Sequence, residues 1–137
     1  MKNLFCYGTL QLPEVIADVI GRVPPSQPAE LLSYVRYRVT GERYPAVVPR
    51  KDASTPGVLY FRLNPLELRR LDRFEGSEYC RQMENVVLAD GSTLPACVYV
   101  WQMQHISRLS RQYWDLRQFM HSAGHAGFAA NRLNHSR

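Results

Sequence analysis

The chain is short of the features that would assign it quickly. No run approaches the ~18 apolar residues that a membrane span requires, and the start, Met1 to Tyr7, has no apolar stretch of signal-peptide length. The expectation is a cytoplasmic protein that is not membrane-bound. Cysteine is scarce: Cys6, Cys80 and Cys97 are an odd number with no Cys-x-x-Cys pair. All three fall in segments with strand character, so they read as buried reduced thiols, not as a disulfide framework or zinc site. Histidine comes late, as His105, His121, His125 and His135. His121 and His125 are four apart, but Gly124 interrupts the helix that would carry both, which argues against a metal site. There is no Gly-x-Ser-x-Gly elbow, no internal repeat and no sign of a second domain.

What is present is a folded composition: 137 residues, 45% hydrophobic and 21% charged, with a net charge of +5. That length suits one domain over 1–137 with a single core. The arginines are scattered, and no continuous basic stripe or aromatic-interleaved motif marks a nucleic-acid partner.

Strand patterns dominate. Leu4 to Tyr7 reads as a buried strand broken at Gly8 and Thr9. Pro13 opens a helix whose apolar face is Val15, Ile16, Val19 and Ile20, with Gly21 as its stop. Val23 to Pro28 reads as a rigid linker. Ala29 to Val39 and Ala46 to Val48 read as strands, and Pro49 to Pro56 as a polar, turn-rich connection. Gly57 to Leu63 is a strand that runs into Asn64-Pro65-Leu66-Glu67, where Asn64 is the expected N-cap and Glu67 closes a capping box. Leu68, Leu71 and Phe74 face the core, and Gly76 is expected to end the helix in the left-handed conformation. Tyr79–Leu88 and Leu94–Trp101 read as a hairpin around Asp90-Gly91, in a type I′ turn. Tyr113 to Ala123 reads as a helix anchored by Trp114, Phe119 and Met120, and the tail after about 123 as peripheral. The fold class is α+β, a barrel-like mixed sheet with short helices and not a doubly wound one.

Two segments could carry chemistry. Gly8, directly after a buried strand, lets backbone approach a ligand, and the amides of Tyr7-Gly8-Thr9-Leu10 could cradle an anion. Glu75 closes a helix, where the negative end of the dipole disfavours ionisation and suits a general base. Asp72, Glu78 and Glu84 are competing carboxylates, with Asp72 expected to bond backbone or an arginine.

Taken in order, Phe5-Cys6-Tyr7-Gly8-Thr9-Leu10, Tyr44-Pro45-Ala46-Val47, Gly57-Val58-Leu59-Tyr60 and Leu71 to Arg81 resemble the gamma-glutamylcyclotransferase-like superfamily, nearest its gamma-glutamylamine cyclotransferase branch. The resemblance covers about residues 3 to 120. It implies a small mixed β-barrel flanked by short helices. It also implies that the α-amine of a γ-glutamyl amine or peptide attacks its own γ-carbonyl, releasing 5-oxoproline and a free amine. By resemblance Glu75 is the general acid/base, and Tyr7, Gly8, Thr9 and Leu10 bind the substrate. Tyr79 forms a hydrogen-bonding wall, Arg81 is a weaker candidate, and no metal or organic cofactor takes part. Gln11-Leu12-Pro13-Glu14 departs from the basic or small polar residues common after the Tyr-Gly-Thr-Leu loop. The alternatives are a non-catalytic small-ligand binder on the same fold and a basic nucleic-acid module.

Overall fold

The computed structural model describes residues 1–123. Five strands close into a mixed barrel: β1 (Lys2–Cys6), β2 (Ser26–Val39), β3 (Pro45–Leu63), β4 (Tyr79–Leu88) and β5 (Thr93–Trp101). β1 pairs antiparallel with β3, β3 with β2, β2 with β4 and β4 with β5. The ring shuts where Leu4 of β1 meets Cys97 of β5 in parallel. A sixth strand, β6 (Leu109–Tyr113), adds to the far end of β2. Helices α1 (Pro13–Ile20), α2 (Pro65–Glu75) and α3 (Leu116–Ala123) flank the barrel. None among the described residues is long and apolar enough to cross a membrane.

Strand alternation sorts the apolar side chains into two clusters. Phe5, Leu31, Val47, Leu59, Val86, Ala96 and Val98 form one. Leu4, Val35, Tyr60, Cys97 and Trp101 point the other way and pack with Ile16, Leu68 and Leu71 of the helices. β5 is buried on both faces from Ala96 to Trp101.

Several expectations are corrected. The linker ends early, because β2 begins at Ser26 and Pro28 already pairs with Val58. Proline is tolerated there at the beginning of a strand. The connection at Pro49 to Pro56 belongs to the continuous strand β3. Its polar middle is a large bulge: pairing jumps from Leu32–Ser54 to Tyr34–Pro49, so residues 50–53 stand against Ser33 alone. β6 occupies residues that carry no strand signal of their own, and the last helix starts at Leu116. Asp115 caps it, its Oδ1 accepting from the Arg117 amide at 2.7 Å. Met120 is 42% exposed and anchors nothing, while Trp114 and Phe119 are buried. Cys80 is exposed, unlike Cys6 and Cys97. The Asp-Gly turn is not type I′, since Gly91 has positive φ and Asp90 does not. It is the three-residue form, with the Gly91 amide bonding the Leu88 carbonyl at 2.9 Å. Gly76 ends the helix with the positive φ that favours glycine, 93°, but its ψ of 177° lies outside the left-handed helical well. A turn at Ser77 and Glu78 then leads into β4. His125 and His135 lie outside the described residues, and so does the tail.

Candidate active site

The site is built where β1 leaves the barrel. Tyr7 projects into the barrel, its hydroxyl donating to the Tyr99 carbonyl at 2.5 Å. Its own carbonyl accepts from Arg36 Nη1 at 2.6 Å. A trans peptide is planar, so the Gly8 N–H is directed away from that guanidinium. Thr9–Gln11 then make a 3-10 turn. Its bonds run from the Gln11 amide to the Gly8 carbonyl and from the Leu12 amide to the Thr9 carbonyl. The amides of Gly8, Thr9 and Leu10 therefore stand outside the turn's own ladder, as the first amides of any helical turn do. Tyr60 fastens the turn from below, its hydroxyl donating to the Leu10 carbonyl at 2.7 Å.

α2 brings the carboxylate. Asn64 accepts from the Glu67 amide at 2.8 Å, and Glu67 Oε1 accepts from the Asn64 amide at 3.0 Å. Both halves of the capping box are thus made, and Arg22 pairs with Glu67 at 2.6 Å. Eight residues after Glu67, Glu75 is the last helical residue. Asp72, one turn earlier, is held elsewhere. It accepts from the Tyr99 hydroxyl at 2.7 Å and pairs with Arg81 at 2.9 Å. It fastens α2 to β4 and β5, as expected of a structural carboxylate.

The structure brings Tyr7, Gly8, Thr9, Leu10, Glu75 and Tyr79 together around one cavity. Tyr79 donates its hydroxyl to the Pro45 carbonyl at 2.7 Å and packs edge-on against Trp101. Arg81 is not in this lining. It bonds Asp72 and lies 3.9 Å from the Cys97 sulfur. Glu78 pairs with Arg108 at 3.0 Å, and Glu84 accepts from Tyr34 at 3.1 Å, so neither faces the cavity. Sequence reasoning missed Cys6 and Tyr99 as cavity walls. Their strand alternation was legible, but which strands would meet was not. Tyr44 and Pro45 complete the rim.

The electrostatics leave the cavity poor in ionisable groups other than Glu75. Burial pushes the Cys6 thiol well up, and the Glu75 carboxylate adds to it. Burial likewise raises the Tyr7 hydroxyl, with Tyr79 and Glu75 contributing. The Tyr99 hydroxyl is raised by burial, then by its bond to Asp72 and by Glu75. All three stay neutral at ordinary pH, and a protonated thiol is a poor nucleophile. Among the described residues, no three His, Cys, Asp or Glu side chains gather as a metal site.

Residues 4–116 match the family described as gamma-glutamyl cyclotransferase, AIG2-like. The chain belongs to that family. AIG2-like protein D of Arabidopsis thaliana is 35% identical over 103 residues, which are 74% of this chain and 68% of that protein. An Arabidopsis thaliana solution structure is 33% identical with a TM-score of 0.69, over 75% of this chain and 70% of its own. A solved gamma-glutamyl cyclotransferase superposes with a TM-score of 0.66 over 74% of this chain and 66% of its own. At 18% identity that likeness speaks for the fold alone. All six cavity residues of this AIG2-like chain that the sequence singled out lie within the matched span.

Proposed function

We propose that this AIG2-like chain is a gamma-glutamyl cyclotransferase, releasing 5-oxoproline and a free amine from a γ-glutamyl amine or peptide. The observation that carries the reading is the placement of Glu75 on the same cavity as the Tyr7–Leu10 turn. In the reaction the substrate α-amine forms a bond to its own γ-carbonyl carbon, and the bond from that carbon to the leaving amine breaks. The attacking ammonium must first lose a proton, and the leaving nitrogen must gain one. A single carboxylate between the two nitrogens serves both transfers, a contribution of ~100- to 10,000-fold. The amides of Gly8 to Leu10 supply donors for the oxyanion and the substrate carboxylate. Ring closure is intramolecular, so the protein chiefly holds the bent conformer.

The cavity offers about 20 Å³ to the centre of a water-sized sphere. That is room for roughly one ordered water. The decisive experiment incubates purified protein with a panel of γ-glutamyl amines and peptides and assays 5-oxoproline. Glu75→Gln should keep the fold and abolish turnover, because an amide cannot carry the proton. Full turnover in that variant overturns the assignment, and no turnover on any γ-glutamyl compound leaves the chain a ligand binder on this fold. Thr9→Ala should cost less, since the backbone amide and not the hydroxyl is the donor.

A further inference from the structure

A second concavity, of about 460 Å³, opens beside the bulge of β3. The bulge supplies Arg50, Lys51 and Asp52, while Arg36 comes from β2 and Tyr113 and Trp114 from the end of β6 and beyond. The backbone is held in an unusual form to do this. Ser33 and Asp52 have φ of 65° and 67°, a region that residues other than glycine enter at a cost. Such bulges re-aim side chains and gather next to functional sites.

The charges that result are unbalanced. Cations outnumber the lining's one carboxylate, Asp52, three to one. Among the described residues, Arg36, Arg50 and Lys51 take part in no ion pair. Arg36 gives its hydrogen bonds to the carbonyls of Tyr7 and Pro56, lies over Trp114, and keeps a buried Nε without a partner. Arg50 bonds the hydroxyls of Tyr37 and Tyr113, which stack with ring centres 5.8 Å apart. Asp115 acts on Arg36 from outside the pocket. A concave surface with an excess of one sign focuses its field on a counter-ion. Guanidinium groups match carboxylate and phosphate oxygens in particular.

We propose that this pocket is a second ligand site, taking a small organic anion with carboxylate or phosphate groups, and that Arg36 links it to the reactive cavity. Arg36 lines the pocket and also holds the Tyr7 carbonyl, and so sets the direction of the Gly8 N–H. An anion that draws the guanidinium towards itself loosens that hold. Occupancy of one site is then felt at the other, in both directions.

The test uses binding and needs no turnover, so it stands or falls apart from the cyclotransferase reading. The unaltered, ¹⁵N-labelled chain is titrated with citrate and, separately, with pyrophosphate at constant ionic strength. Saturable shifts are expected at the amides of residues 51–55 and at Gly8. Response to citrate alone assigns a carboxylate ligand, and response to pyrophosphate alone a phosphate. The double variant Arg50→Gln/Lys51→Gln changes exposed side chains and should weaken binding by roughly tenfold or more. Arg69→Gln/Arg70→Gln removes the same charge from the exposed face of α2 and should leave binding unchanged. Shifts that never saturate with either anion overturn the site, as does equal weakening by both double variants. Movement of residues 51–55 with Gly8 unmoved overturns the link through Arg36.

Discussion

Gly57 of β3 lies against Phe5 and Cys6 of β1, and its missing side chain is what allows the approach. A Cβ there would overlap the Cys6 carbonyl oxygen and sit 2.7 Å from Phe5 Cζ. Gly57→Ala should therefore destabilise the fold by about 1–3 kcal/mol, the usual cost of overpacking, read from the urea midpoint. Tyr99 links three parts of the site at one residue. Its carbonyl receives Tyr7, its hydroxyl reaches Asp72, and its ring lines the cavity. Tyr99→Phe keeps the ring and removes only the donor to a half-exposed carboxylate. A loss of about 1 kcal/mol is expected, measured against the parent by thermal or urea unfolding. Because Asp72 fastens α2 to β4 and β5, the proposed cyclotransferase activity predicts that the same variant also lowers 5-oxoproline release, with its substrate KM little changed.

α2 is the element most completely written in its own residues. Asn64, Pro65 and Glu67 start it, and Leu68, Leu71 and Phe74 bury it. Asn64→Ala should cost about 1 kcal/mol through loss of the cap, seen as a lower unfolding midpoint with unchanged slope. Glu67 adds a pH dependence. Its bond to Arg22 holds its carboxyl below the ordinary value, and the Asn64 amide adds to that. The group binds its proton more weakly folded than unfolded. Its stabilisation is therefore complete above the unfolded carboxylate value of about 4.3, and it is lost as the pH falls through the lower folded value. Unfolding midpoints measured from about pH 6 down to pH 3 should fall more steeply for the parent than for Glu67→Gln. Other elements were less legible. β6 carries polar residues typical of loops and is strand because β2 offers it a partner edge, while the polar bulge at residues 50–53 interrupts the pairing of β2 and β3 between flanking segments that are paired. The position of Glu75 could be read because both helix ends are marked locally. Tyr99 as a wall could not, because nothing in β5 says which helix will cover it.

For the molecule as a whole, closure of the barrel rests on the N-terminal strand. β1 pairs with β3 and also meets β5 at Leu4 and Cys97, far away in sequence. Leu4 is fully buried. Leu4→Ala should cost about 2–5 kcal/mol, the range for a buried leucine, as a shifted midpoint with the slope preserved. The mixed barrel with flanking helices follows the expected class, and the family match agrees with it. By itself the sequence determined what nearest neighbours can determine: α2 with its caps, the strand–glycine turn at Tyr7 to Leu10, and the hairpin of β4 and β5. Capping, turn and alternation rules act over a few residues, and those residues are contiguous. Only the tertiary structure decided that the Tyr7–Leu10 turn and the end of α2 share a cavity. Only it committed Asp72 to Tyr99 and Arg81, and gathered Arg36, Arg50 and Lys51 beside the bulge. The physical reason is that these meetings depend on strand register and ring closure. Both are set by burial and hydrogen bonding summed over the whole barrel, and no short segment encodes them.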